Sequence, residues 1–186
     1  MFDLEPATTE MTRLVRGVDA ARLDDPTPCD EWAVRNLLAH IHQFVDVFAT
    51  NARKEPLDPP DGLVDDWPTA LPAALADLAR AWSAPSAWEG RTSAGGIEMD
   101  AADNALVAVE ELTVHAWDLA QATGQDIAVS DDVLRHVEQF FVRFAPGGGD
   151  DGPFGPRVSV PDDADRLDRV VATAGRDPRW RPAEGI

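Results

Sequence analysis

The longest uninterrupted helical pattern in the sequence is Ala101–Thr123. It contains neither Pro nor Gly, while Asp100 precedes it as a candidate N-cap and Gly124 follows it as a helix terminator. Glu111 and His115 stand at positions i and i+4, so their side chains leave the same face of the predicted helix one turn apart. Such a pair can share one metal ion or form an ordinary surface pair, and these two residues alone do not decide which.

The apolar positions of this predicted helix form one stripe on a helical wheel. The stripe consists of Ala105, Ala108, Leu112, Ala116, Leu119 and, at its end, Thr123. The polar residues along one flank of the stripe are Asn104, Glu111, His115 and Asp118. Glu110 and Trp117 fall well away from that flank. A polar edge beside a core stripe is typical of a pocket between packed helices, and a solvated rim is an equal alternative.

A second amphipathic helix follows Asp30, which can cap it, and carries two histidines. Its apolar residues recur at spacings of three and four, at Val34, Leu37, Leu38, Ile41, Phe44, Val45 and Phe48. His40 lies on one flank of this stripe and His42 on the other, so periodicity does not choose between them. A single His beside a core stripe is more often a packed, hydrogen-bonded residue than a ligand.

Further segments complete the predicted fold. Helices are expected over residues 9–23, 71–83, 131–144 and 163–174. Ser130 is expected to cap the third of these, and Phe144 to face inward. Residues 53–66 and 84–100 are rich in Pro, Gly or charge and are predicted to be irregular, with no convincing strand. The sequence therefore predicts an all-α fold, most simply a four-helix bundle with additional short helices and an irregular C-terminal segment, in one domain over residues 1–186.

The composition argues against several classes of partner. The chain has 34 acidic and 16 basic residues, a formal net charge of -18, so its field repels nucleic-acid phosphates and anionic lipid surfaces. No apolar run approaches the roughly 20 residues that a membrane-spanning helix needs. The first residues lack the basic start and apolar core of a secretion signal, and Cys29 is the only cysteine. We therefore expect a cytoplasmic protein without nucleic-acid or membrane partners.

Common catalytic motifs are missing from the sequence. It contains no Gly-rich phosphate loop before a helix, no Gly-x-Ser-x-Gly elbow, no Cys-x-x-Cys pair and no His-Glu-x-x-His. Cys29 stands at a predicted helix start, where a thiolate would be favoured, but no base is near it in sequence. A packed structural cysteine is therefore favoured over a nucleophile. The His and carboxylate residues remain as the constellation that could carry chemistry.

Four sequence blocks together resemble one protein family. They are Thr27-Pro28-Cys29-Asp30-Glu31-Trp32, Asn36-Leu37-Leu38-Ala39-His40, Glu111-Leu112-Thr113-Val114-His115-Ala116-Trp117-Asp118-Leu119-Ala120 and Gly175-Arg176-Asp177-Pro178. The pattern resembles the metal-binding domain of mycothiol-dependent maleylpyruvate isomerases, within the DinB-like four-helix superfamily of actinobacterial thiol-dependent enzymes. The resemblance spans about residues 27–180, and its second and third blocks are the most specific.

This resemblance implies a divalent-metal site formed by His40, Glu111 and His115, and it favours His40 over His42. Two imidazoles and one carboxylate are a common ligand set for catalytic zinc, and nickel, iron or manganese are compatible with the same donors. The family also implies mycothiol as the thiol cosubstrate, whose nucleophilic thiolate the metal would stabilise. Asp118 is a candidate to orient a ligand imidazole, with a bond elsewhere as an equal alternative.

The resemblance further implies an enzyme that acts on a small-molecule substrate. The full isomerase carries an additional C-terminal domain for which this sequence has no room, so a mycothiol S-transferase or another thiol-dependent reaction is expected rather than isomerisation of maleylpyruvate. The alternative is a non-catalytic metal- or small-molecule-binding protein of the same fold. Arg91, Arg143 and Arg157 are candidates to meet an acidic substrate, with none favoured. A homodimer stays open, because no exposed apolar stripe identifies a pairing face.

Overall fold

The computed structural model describes residues 1–29, 31–55, 61–94, 96–145 and 155–182. The elements within this part of the chain are α1 (Glu5–Arg16), α2 (Val34–Arg53), α3 (Trp67–Ser83), β1 (Arg91–Ala94), β2 (Ile97–Asp100), α4 (Ala101–Thr123), α5 (Asp131–Phe144) and α6 (Arg166–Thr173). Two short 3-10 helices, Ala20–Arg22 and Pro85–Trp88, lie in the connections. The predicted all-α class is confirmed, with one short hairpin as the exception.

Helices α1 to α4 pack around a common core. Both α3 and α4 contact α1 and α2, while α5 lies against α4 and α6 lies against α5. Side chains with almost no exposed surface include Met11, Leu37, Ile41, Leu71, Leu78, Leu112 and Leu119. Burying one such side chain contributes about 1.5–3 kcal/mol to folding. Most residues of α4 are buried, and of the polar residues beside its apolar stripe Asn104, His115 and Asp118 are buried while Glu111 is partly exposed.

The hairpin formed by β1 and β2 contradicts the prediction that residues 84–100 are irregular. The strands pair antiparallel, with Arg91 opposite Asp100 and Thr92 opposite Met99. Gly96 in the turn has a φ of 79°, a left-handed conformation that glycine adopts without steric cost. The amide of Asn51 in α2 donates to the Ser93 carbonyl over 2.6 Å and ties the hairpin to the bundle. Such short, mostly polar strands carry too few alternating apolar residues to be detected from sequence.

The predicted boundaries of α4 and α5 are confirmed. Gly124 ends α4 with a φ of 67°, and the Ser130 side chain caps α5 by accepting a hydrogen bond from the Val133 amide. Asp100 occupies the N-cap position of α4 but makes no capping bond. Its carboxylate lies 3.1 Å from Arg91 Nη1 across the hairpin instead.

Other helix boundaries were predicted less well. Helix α1 begins four residues earlier than predicted, with Pro6 in its first turn, and ends at Arg16 rather than near residue 23. Helix α3 begins at Trp67 with Pro68 in its first turn, and α6 covers only the centre of its predicted range. Phe144 was predicted to face inward, but it is 40% exposed at the end of α5.

Asp30, the proposed cap of α2, lies outside the described residues. Helix α2 begins at Val34, and the Asn36 side chain accepts a hydrogen bond from the Ala33 amide over 3.0 Å.

Among the helices that the structure describes, none combines the length and apolar character that crossing a membrane requires.

Candidate metal centre

His40, Glu111 and His115 meet where α2 packs against α4. His40 comes from α2, while Glu111 and His115 occupy successive turns of α4. Each offers one ligand atom, and the three atoms all lie within 4.8 Å of one another. The structure therefore brings together the three residues for which the family resemblance implied a shared site.

Glu111 lies at the centre of this cluster. Its Oε2 atom is 3.4 Å from His40 Nε2 and 3.1 Å from His115 Nε2. Burial opposes ionisation of the carboxyl, but the hydrogen bonds to His115 and His40 outweigh it and lower the pKa of Glu111 below its ordinary value. An ionised carboxylate therefore faces two imidazole nitrogens, which is a donor set suited to a divalent cation.

Asp118 holds the other nitrogen of His115. Its Oδ2 atom lies 2.9 Å from His115 Nδ1, and the Asp118 side chain is fully buried. Burial opposes the charged imidazolium, but the hydrogen bonds to Asp118, Cys29 and Glu111 outweigh it and raise the pKa of His115 well above its ordinary value. Because Nδ1 is held by Asp118, Nε2 is the nitrogen that faces Glu111.

Cys29 and Arg176 join the same network and were not predicted to do so. Cys29 Sγ lies 3.0 Å from Asp118 Oδ2 and 3.9 Å from His115 Nδ1. Arg176 donates from Nη2 to Asp118 Oδ2 over 3.0 Å and from Nε to Oδ1 over 3.3 Å. Cys29 was interpreted as a packed residue with no base near it in sequence, yet the fold places both an imidazole and a carboxylate beside it. The signal for Arg176 was the Gly175-Arg176-Asp177-Pro178 block, which had served only as evidence of resemblance.

The loop before α2 presents Cys29 and Trp32 to the cluster. Thr27 organises this loop: its amide donates to the Trp32 carbonyl over 3.1 Å, and its hydroxyl oxygen accepts from the Cys29 amide over 3.1 Å. The Trp32 amide donates in turn to the Cys29 carbonyl. Glu31 adopts a left-handed φ of 65°, which is costly for a residue other than glycine.

Two aromatic rings line the cluster. The Trp32 ring centroid lies 5.0 Å from that of His40 and 6.2 Å from that of His115. Phe44, one turn after His40 on α2, lies 5.5 Å from His40 and 6.1 Å from His115. Apolar ring surface around a polar cluster lowers the local dielectric and strengthens its electrostatic interactions.

His42 lies outside the cluster. It is buried on another side of α2, with Nε2 3.8 Å from Asp46 Oδ2. The structure thus places His40, and not His42, beside Glu111 and His115, which helical periodicity alone did not resolve.

Glu110 is buried beside the cluster, although the wheel placed it far from the polar flank. Its side chain is only 2% exposed. Burial and the neighbouring charge of Glu111 raise the pKa of Glu110 well above its ordinary value. A neutral carboxyl next to an ionised one is the arrangement that limits repulsion between two adjacent acids.

The three arginines considered for an acidic substrate make contacts elsewhere. Arg91 pairs with Asp100, and Arg143 pairs with Asp103 over 2.6 Å. Arg157 donates to the Ala145 carbonyl and lines a cavity of about 390 Å³ between α5 and α6, whose lining residues are not those of the cluster.

Cys29, His115 and Asp118 form a second group with the spacing of metal ligands. The Arg176 guanidinium lies 3.0 Å from Asp118 Oδ2 and 3.6 Å from Cys29 Sγ. A cation bound there would be repelled by the guanidinium charge at close range. The group of His40, Glu111 and His115 is therefore the better candidate for a metal.

Comparison with known proteins supports this assignment of the fold. A family described as the mycothiol maleylpyruvate isomerase N-terminal domain matches residues 4–120, a range that includes His40, Glu111, His115 and Asp118 but not Arg176. Two uncharacterized proteins from two strains of Mycobacterium tuberculosis are 29% identical over 173 residues, which is 89% of this chain and 91% of each relative.

Solved structures show the same fold. The mycothiol-dependent maleylpyruvate isomerase and a histidine-to-alanine mutant of it match with TM-scores of 0.51 and 0.56, at 18% sequence identity. Each match covers 70% of this chain and 63% of the isomerase chain, so this chain spans less than two thirds of that enzyme's length. At this identity the likeness establishes the all-α, DinB-like fold. On the evidence of the family match, the chain belongs to the mycothiol maleylpyruvate isomerase N-terminal domain family.

Proposed function

We propose that this protein is a divalent-metal-binding, mycothiol-dependent enzyme in which His40, Glu111 and His115 hold the metal. The observation that carries the proposal is the convergence of these three donors from two packed helices, with their ligand atoms within 4.8 Å of one another. Family membership supports mycothiol as the thiol partner.

The donor types support zinc as the metal, because two imidazoles and one carboxylate are a common ligand set for catalytic zinc. Glu111 Oε2 lies 3.1 Å from His115 Nε2 and 3.4 Å from His40 Nε2, so one cation could be held by all three side chains. Nickel, iron and manganese accept the same donor types and are the alternatives.

A bound metal would supply Lewis-acid stabilisation of the mycothiol thiolate at neutral pH. The chain's own residues prepare the site for this. Asp118 accepts from His115 Nδ1 and so directs Nε2 toward Glu111. Trp32 and Phe44 exclude water from one side of the imidazoles, and the partly exposed side chains of His40 and Glu111 leave access for a small-molecule substrate. The reaction class proposed is thiol transfer to an electrophile or a thiol-dependent isomerisation.

A thiol-dependence assay tests the proposal. Zinc-loaded protein is mixed with a fluorogenic alkylating electrophile, with and without mycothiol, and compared with the His40→Ala and His136→Ala variants. We expect turnover only with mycothiol, lost in His40→Ala and kept in His136→Ala, because His136 stacks on Phe2 away from the cluster. Bound metal without mycothiol-dependent turnover of a panel of electrophiles would instead indicate a non-catalytic metal- or small-molecule-binding protein.

Three sequence expectations accompany the proposal. They are a single domain over residues 1–186, a cytoplasmic location and, as an open possibility, a homodimer. Sedimentation of the purified protein tests the last of these.

A further inference from the structure

The Asp118 carboxylate is anchored by three side chains: His115 from the same helix, and Cys29 and Arg176 from distant parts of the sequence. We define the Asp118 anchor as Asp118 with its donors His115, Cys29 and Arg176. We propose that Arg176 is a positioning residue, which fixes the His115 imidazole for metal binding by holding Asp118 in place, and that Cys29 completes the Asp118 anchor. The link to metal binding rests on the proposed function, whereas the positioning of His115 does not.

The burial of Asp118 makes the Asp118 anchor necessary. Asp118 has no exposed surface. A buried carboxylate without compensating charge and hydrogen bonds is strongly unfavourable. Its Oδ2 atom receives His115 Nδ1 at 2.9 Å, Cys29 Sγ at 3.0 Å and Arg176 Nη2 at 3.0 Å. The position of the carboxylate therefore depends on its anchor partners.

Arg176 is held in a geometry that a flexible cation would not reproduce. Its Nε and Nη2 atoms reach the two oxygens of Asp118 separately, and its Nη1 donates to the Ala174 carbonyl over 2.9 Å. Such a two-point contact uses the planar fork of the guanidinium, which lysine lacks. The side chain is 15% exposed, so solvent screens the pair only weakly.

The backbone around Gly175 aims Arg176 at the site. Gly175 has a φ of 81°, and a Cβ atom there would come within 2.9 Å of the Gly155 carbonyl oxygen. The Arg176 amide donates to the Val171 carbonyl over 3.0 Å, which turns the chain back after α6. This segment lies beyond residues 4–120, the range that matches the family, so the site is completed by a part of the chain outside that match.

Cys29 acts in the anchor as a donor. Its Sγ lies 3.0 Å from Asp118 Oδ2, a contact that a thiol S–H stabilises and a thiolate would oppose. A serine hydroxyl can replace this donor, whereas an alanine cannot. This role differs from both the packed residue and the nucleophile considered from the sequence.

Loss of Arg176 should release the His115 ring. Asp118 would lose the two hydrogen bonds that fix both of its oxygens, and its contact with His115 Nδ1 would become one of several alternatives. Removing a residue that orients a metal-binding imidazole typically costs 10–100-fold in metal affinity. We expect a loss of that order for Arg176→Gln, and a smaller loss for Arg176→Lys.

The experiment compares wild-type protein with Arg176→Gln, Arg176→Lys, Cys29→Ser and Cys29→Ala. Arg179→Gln is the matched control, because Arg179 lies in the same segment but is 86% exposed and pairs with Asp177 rather than with Asp118. The first measurement is solvent exchange of the Nδ1-bound proton of His115 by NMR in metal-free protein, assigned through its loss in His115→Gln. The second is zinc affinity by competition with a chromogenic chelator.

We expect a slowly exchanging His115 Nδ1 proton in the wild type, Arg179→Gln and Cys29→Ser, and a rapidly exchanging one in Arg176→Gln. Zinc affinity should be similar in the first three proteins and lower in Arg176→Gln. A proton that stays equally protected in Arg176→Gln would overturn the inference. If wild-type protein binds no zinc, the proposed function fails, while the proton comparison still decides the positioning role. Should Arg176→Gln fail to fold, Arg176→Lys and Cys29→Ala are compared with Cys29→Ser. Faster exchange of the His115 Nδ1 proton in the first two variants supports the positioning role, and equal exchange in all three overturns it.

Discussion

The two nitrogens of His115 face two different halves of the site. On the Nε2 side lie Glu111 and His40, whose side chains are 28% and 32% exposed. On the Nδ1 side lies Asp118, fully buried and paired with Arg176. We call the Nε2 side the open half, because its partly exposed side chains can exchange ligands with solvent. The Nδ1 side is the closed half, because its charged side chains are buried and shielded from water. Direct contact with a metal should therefore belong to the open half, whereas stability should depend mainly on the closed half, which affects binding only by positioning the ring.

The largest effect on folding is expected from Asp118→Asn in the closed half. Arg176 would lose its carboxylate partner in a mostly buried position, and breaking a buried pair from one side costs about 3 kcal/mol or more. We expect a loss of that order in the free energy of unfolding, measured with urea. A loss below about 1 kcal/mol would show that the anchor does not hold the closed half together.

Gly175→Ala tests whether the backbone that delivers Arg176 is equally demanding. The substitution combines a left-handed φ with a close contact to Gly155, so about 2 kcal/mol of destabilisation is expected. Gly124→Ala is the matched control, because its φ of 67° is similar but its nearest neighbour, Arg22 Nη1, is 3.8 Å away. That control should lose about 1 kcal/mol. Equal losses in the two variants would show that the close contact with Gly155 adds nothing to the cost of the left-handed φ.

Glu111→Gln in the open half should give the reverse pattern. The metal-free protein should lose only about 1 kcal/mol, because the carboxylate is partly exposed and its hydrogen bonds to His40 and His115 are weakened by solvent. Zinc binding, in contrast, should be abolished, since an amide oxygen is a far weaker ligand than a carboxylate. Urea unfolding and chelator competition measure the two effects on one sample. Zinc affinity equal to that of the wild type would exclude Glu111 as a ligand.

The smallest expected effect is a gain in stability. Glu31→Gly should relieve the left-handed strain in the loop that carries Cys29 and Trp32, and thermal unfolding should report a gain of about 0.5 kcal/mol. Glu89→Gly, at a position with an extended backbone of φ -98°, should instead lower stability. A loss at both positions would indicate that the Glu31 side chain matters more than its backbone conformation.

The sequence predicted helix α4 and the shared face of Glu111 and His115 because both depend on local spacing, whereas the resemblance to a known family, and not the spacing, singled out His40. Helix α4 runs without interruption over Ala101–Thr123, so Glu111 and His115, four residues apart, lie one turn apart on the same face. The helical wheel failed for Glu110, because it assumes one buried face and α4 is buried on most sides.

The closed half of the site could not be derived from local patterns. Arg176 and Cys29 lie 58 and 89 residues from Asp118 in sequence, so only the packed fold brings them together. The hairpin was missed for a different reason, since its four-residue strands hold few apolar residues. Its one usable signal was the Gly95-Gly96 pair, which is typical of a tight turn between strands.

The central claim is that His40, Glu111 and His115 hold a metal ion, and the most direct measurement is the elemental content of the untagged protein. Wild-type protein and the His136→Ala control should carry stoichiometric metal, zinc first among the alternatives, and His115→Ala should carry none. If the wild-type protein holds no metal even after zinc is added and the sample is dialysed, the claim is wrong.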